Sequence, residues 1–142
     1  MFTQDRSQLR KIFFDAWNKH QKNTTLSAME QIIVNIINLH SEYQQMLSNE
    51  NDFLDKDYLS ENGETNPFLH MAMHISIHEQ LANKRPPQIT NIYSQLLSKF
   101  KDAHEVEHHM MECLGQMIWQ AQRDNVMPDE SLYLNCLTKL LN

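Results

Sequence analysis

Residues 66–80 read NPFLHMAMHISIHEQ. Asn66 followed by Pro67 is a helix start: a side-chain cap, then a ring at a position whose amide would be unpaired anyway. Turning about 100° per residue, Ser76, Glu79, Gln80 and Asn83 gather on one side. His70, His74 and His78 fall opposite, flanked by Met71, Ile75, Ile77 and Leu81. The spacing predicts an amphipathic helix that ends near Asn83, ahead of Arg85-Pro86-Pro87, with titratable rings where a core usually holds leucine. One such ring is ordinary, because a neutral imidazole bonded to a carbonyl is a common core solution. Three on successive turns call for a partner.

The rest of the chain repeats the three-and-four spacing. A first helix is predicted over about 5–21 from Leu9, Ile12, Phe13, Ala16, Trp17 and His20, with Trp17 as a core residue. A second, over about 26–48, aligns Leu26, Met29, Ile33, Ile36, His40, Tyr43 and Leu47, which puts His40 in the core. Residues 49–65, NENDFLDKDYLSENGET, read as a polar connection pinned by Phe53, Leu54, Tyr58 and Leu59. They lack the glycine and terminal glutamate offsets of an EF-hand, so the acids read as solvated rather than calcium-binding. Further helices are expected over about 88–100, 102–124 and 129–141. The fifth is capped by Asp102, with Glu105 in the place of a capping-box partner. The last presents Leu132, Leu134, Cys136, Leu137, Leu140 and Leu141. The expectation is an all-α, compact helical bundle of five or six helices, one domain over residues 1–142.

Composition agrees and excludes several functions. The 142 residues include only 2 Gly and 4 Pro, and a chain of this size buries about two-thirds of its unfolded surface without a metal or disulfide staple. A net charge of -6 opposes contact with nucleic-acid phosphates. No apolar run approaches the roughly 20 residues that span a bilayer, and MFTQDRSQLRK lacks the apolar centre of a signal peptide, which predicts a cytosolic protein with no membrane partner. Cys113 and Cys136 have no CxxC spacing and read as small apolar core groups. Neither Ser76 nor Cys113 is presented with a base and an orienting acid, and two glycines do not make a phosphate loop.

A second ladder stands in DAHEVEHHMMECLGQ, residues 102–116: His104, His108 and Glu112 line the border of the apolar face, and Glu107 falls inside it. A buried carboxylate needs a cation, an arginine or a proton, and imidazoles on a facing helix need partners too. A divalent zinc, iron, nickel or manganese ion satisfies both, since i, i+4 pairs present two ligands to one ion. The metal-ligand set read from the sequence is His40, His70, His74, His104, Glu107, His108 and Glu112. A ferritin-like site needs two Glu-x-x-His motifs, and only Glu105 to His108 supplies one. Two alternatives stand beside the metal: a hydrogen-bonded His/Glu core in a non-catalytic structural or protein-interaction module, and a pocket for a small organic ligand. His20 and His109 read as exposed or border residues, and the nine methionines as gap-filling core.

The blocks NPFLHMAMHISIHEQ, KRPP, DAHEVEHHMMECLGQMIWQAQR and PDESLYL, in that order, resemble a bacterial family designated domain of unknown function eighteen forty-one. The resemblance runs from about His40 to Leu134 and falls on His40, Glu42, Asn66, Pro67, Phe68, His70, His74, Glu79, Gln80, Arg85 and Pro86. It continues on His104, Glu107, His108, Met111, Glu112, Trp119 and Gln122. The family more often has arginine at His78, which implies that this rung is not a ligand, and histidine is common at Gln44. It implies no activity. Glu79 lies about 180° from His70 and is expected to pair with Arg85, while Trp119 and Gln122 are expected to wall the pocket or order its ligands.

Overall fold

A computed structural model describes residues 2–58 and 66–142, with side chains from residue 6 onward. All regular structure among these residues is helical. The helices are α1 (Phe2–Gln21), α2 (Ala28–Leu39), a 3₁₀ turn (Ser41–Tyr43), α3 (Gln44–Leu47), α4 (Glu50–Phe53), α5 (Pro67–Asn83), α6 (Ile89–Phe100), α7 (Ala103–Asp124) and α8 (Glu130–Lys139). The chain divides into two compact units, Met1–Ile75 and Ser76–Asn142, and α5 supplies residues to both.

The expected all-α class holds, but the five or six helices become eight among the described residues. The reason lies at His40. In a continuous helix the Ile36 carbonyl would accept from the His40 amide. Here it accepts from the His40 ring, Nδ1 to O at 2.8 Å, while the His40 amide turns to Ile37 O at 2.9 Å. A side chain that takes over a backbone acceptor stops the helix, and His40 adopts φ -127°, ψ 74°. The predicted helix over 26–48 therefore splits into α2, the 3₁₀ turn and α3. The apolar spacing survives the break, so periodicity alone did not show it. The connection after Leu47 holds a single helical turn, α4; its residues 59–65, Leu59 among them, lie outside the described residues.

In the first unit Phe13, Phe14, Trp17, Ile33, Ile37, Phe68 and Met71 form the core, with Phe53, Leu54 and Tyr58 packed against it. Leu9 and Ile12, expected inside, are 63 % and 46 % exposed, and the buried face of α1 includes Arg10 instead. The Arg10 Nη1 donates to the carbonyls of Leu54 and Lys56, at 3.0 and 2.7 Å, and its guanidinium lies over Phe68. One buried cation thus ties the polar connection to α1. A full capping box starts α2, with Ser27 and Glu30 exchanging side-chain bonds.

In the second unit Ile89, Ile92 and Leu96 of α6, Val106, Met110 and Leu114 of α7, and Tyr133 and Leu137 of α8 are buried. Leu132 is exposed, and the inward turn of α8 runs through Tyr133, whose hydroxyl donates to Gln80 Oε1 at 2.7 Å. Asp102 caps α7 as expected, accepting from the His104 amide at 3.0 Å. Glu105 does not complete the box; its carboxylate sits 3.7 Å from His109. Cys113 and Cys136 are not separate apolar groups but a disulfide joining α7 to α8. Their separation of 23 residues gives no motif, yet the antiparallel course of the two helices brings the Cα atoms to 5.7 Å, within disulfide range.

Candidate metal centre

The first unit gathers three of the histidines. Asn66 Oδ1 accepts from the amides of Phe68 and Leu69, at 2.9 and 3.2 Å, and this cap fixes where α5 begins. Four-residue spacing then sets His70 and His74 on one face. His74 is fully buried and His70 half-buried. His40, 2 % exposed, comes to them because α2 ends where it does.

The ring of His40 is oriented by its bond to Ile36 O and by Tyr43, which stacks on it at 5.3 Å and 15°. A carbonyl only accepts, so Nδ1 donates to it, and Nε2 is the ring atom turned toward a second partner. That atom is 3.1 Å from Nε2 of His70. The rings of His70 and His74 stand edge-on to His40, with centroids at 4.8 and 5.1 Å. One donor atom from each of the three rings lies within 4.8 Å of the others. Imidazole nitrogens bound at about 2.0–2.1 Å to a tetrahedral ion stand about 3.3 Å apart, so the His40 and His70 atoms already have ligand spacing.

The second unit pairs the other expected residues differently. Glu107, 7 % exposed, faces His78, with Oε1 2.5 Å from Nε2, and its Oε2 accepts from the Tyr93 hydroxyl at 3.3 Å. The buried carboxylate thus has a hydrogen-bond partner, from the rung that the resemblance set apart. The Glu107 hydrogen bond raises the pKa of His78 above its ordinary value despite partial burial. Burial, then the Glu107 charge, raises Tyr93.

His104 and His108 are half-buried neighbours, with ring centroids 4.1 Å apart. Glu112 is exposed. Trp119 is 60 % exposed and stacks under Arg123. Gln122 is exposed as well. Glu79 and Arg85 line one surface cavity of about 290 Å³ but do not form the expected ion pair. His109 packs on Phe100, and His20 on Trp17. Two partners were missed, Tyr43 and Tyr93. Tyr43 stood in the predicted apolar strip of the second helix and Tyr93 within the helix predicted over about 88–100, beside Ile89, Ile92 and Leu96, where a hydroxyl among apolar neighbours was the available signal.

A family model described as "Domain of unknown function (DUF1841)" matches residues 5–139. The chain belongs to this family. No curated protein matches the chain, and no solved structure does. The family match reaches both units, so the three-histidine group and the His78–Glu107 pair lie within the matched length. An arginine at position 78 would meet Glu107 as His78 does. This gives a pH prediction. A histidine whose folded pKa is raised stabilises fully below its unfolded value of about 6.5 and loses that contribution as pH rises through the folded value. Urea melts of the wild type should show this loss, and His78→Arg, which does not titrate there, should remove it. An unchanged slope in the variant would assign the pH dependence to another group.

Proposed function

We propose that this chain is a metal-binding helical protein whose ligand core is His40, His70 and His74, taking zinc, iron, nickel or manganese. The observation that carries the reading is the orientation of His40: a backbone carbonyl holds Nδ1–H, which leaves Nε2 facing His70 at 3.1 Å. Ligating histidines characteristically donate their other N–H to such an acceptor. Three imidazoles leave a four-coordinate ion one position for water, substrate or a further side chain. His104, Glu107, His108 and Glu112 complete the proposed ligand set read from the sequence, and metal retained by alanine variants at each position ranks them. An open position would supply Lewis-acid hydrolysis or redox chemistry.

A metal-free packing module is the rival, favoured by the hydrogen bond with which His70 can satisfy His40 Nε2 unaided. Elemental analysis of protein purified without a histidine tag or chelator is expected to give close to one transition-metal ion per chain. Thermal melts at pH 7.5 are expected to rise with added metal by the increment that binding to the native state alone confers. Near pH 5, where imidazoles protonate, that increment should vanish. No bound metal, together with superimposed melts at every pH, would hand the site to the packing reading.

A cytoplasmic location and a single cooperative domain belong to the same proposal. Among the described residues no helix is long and apolar enough to cross a membrane. The Cys113–Cys136 disulfide weighs against a reducing compartment, and cell fractionation decides the location. One calorimetric transition would support the single domain and two would reject it.

A further inference from the structure

The second unit holds a covalent bond whose two ends differ in access. Cys113 is 2 % exposed, among the buried residues of α7, whereas Cys136 of α8 is only half-buried. A surface cavity of about 240 Å³ opens onto the disulfide, lined by both cysteines and by Gln116, Gln120, Asn135 and Lys139. None of these residues belongs to the metal-ligand set, so the feature is independent of the metal reading.

Access decides what can happen to this bond. A disulfide is opened by a thiolate that attacks one of its sulfurs, and exposed disulfides are the labile ones. The attacker needs room beside the sulfur it strikes, and here the room adjoins a half-buried one. The cavity is smaller than the about 300–1,000 Å³ usual for small-molecule sites, which suits an amino-acid-sized thiol. Lys139 is the only charged residue in its lining, and the side-chain amides beside it can donate to a carboxylate. One of these amides stands next to the reacting atom, with Gln116 Oε1 3.8 Å from Cys136 Sγ.

We propose that Cys136 is a site of reversible modification by small thiols that carry a carboxylate. The thiolate of such a molecule attacks Cys136 Sγ. A new S–S bond forms, the Cys113–Cys136 bond breaks, and Cys113 leaves with the bonding pair and takes a proton from solvent. A second thiolate then attacks the sulfur of the attached molecule, which releases a small symmetrical disulfide and leaves Cys136 to take a proton. Two small thiols are oxidised and one protein disulfide is reduced, and α8 loses its covalent tie to α7 at the first step. In the reverse direction the small disulfide is the oxidant that restores the tie.

The test treats the oxidised full chain with 3-mercaptopropionate at pH 7.5, stops exchange with acid, alkylates free thiols in denaturant and maps both cysteines by mass spectrometry. Early samples should carry the mercaptopropionate adduct on Cys136 and the alkyl label on Cys113, in at least about tenfold excess over the reverse arrangement. Cysteamine, a cationic thiol of similar size, should react about threefold more slowly once each rate is divided by the same thiol's rate with a small uncharged disulfide. Lys139→Gln, at an exposed position, should keep the fold and remove that preference. An adduct that forms only after unfolding in urea, adducts shared equally between the two cysteines, or equal normalised rates for the two thiols would overturn the proposal.

Discussion

Alanine in place of His74 should lower the affinity of the metal-free protein for zinc by on the order of a hundredfold or more, because a site built on few ligands draws its binding energy from each. The side chain is fully buried, and its imidazole is one of three whose donor atoms lie within 4.8 Å of one another. Truncation also leaves a cavity, so affinity should be read by direct titration of folded protein rather than from a melting temperature. His40→Ala should behave alike. His78→Arg should retain wild-type affinity, since the structure engages His78 with Glu107. Equal losses from His74→Ala and His78→Arg would mean that the ligand core has been drawn around the wrong rings.

Glu107→Ala should destabilise the protein by on the order of 2 kcal/mol, measured by urea unfolding at pH 6. Removing one member of a buried ion pair costs about 3–5 kcal/mol. His78 keeps 35 % of its side chain exposed, and solvent screening reduces what its charge contributes. Tyr93 loses the acceptor for its hydroxyl at the same time. A change below about 0.5 kcal/mol, the usual size for a surface substitution, would reduce the pair to a solvated contact. The two kinds of histidine should also respond to pH in opposite senses. Acid frees the metal ligands by protonating them, whereas alkali weakens the His78–Glu107 pair by removing its proton.

Much of the fold was legible because local chemistry and tertiary structure agree. Asn66-Pro67 starts α5, Asp102 caps α7, and the breaks after Gln21 and Asn83 fall close to where the patterns end. The break at His40 was not legible, because the competing hydrogen bond comes from a side chain that periodicity counts as core. Arg10 was missed for a related reason: a long cation reads as solvent-facing unless distant carbonyls are known to receive it. At the site, four-residue spacing identified the His70 and His74 face, and the burial of Glu107 was foreseen with its need for a cation. Spacing could not say that His78 would be the partner that meets it. A face 100° wide holds ligands and ion-pair partners alike, and only the neighbouring helices separate them.

The disulfide between α7 and α8 turns residues 113–136 into a closed covalent ring. Residues 125–129, all exposed, lie on that ring between the two helices. A protease cutting there opens the ring without dividing the molecule: α8 stays bonded to the rest of the chain, and two fragments separate only under reducing conditions. Backbone integrity and the attachment of the last helix are thereby uncoupled, so a chain nicked in this loop remains one molecule for as long as its surroundings are oxidising.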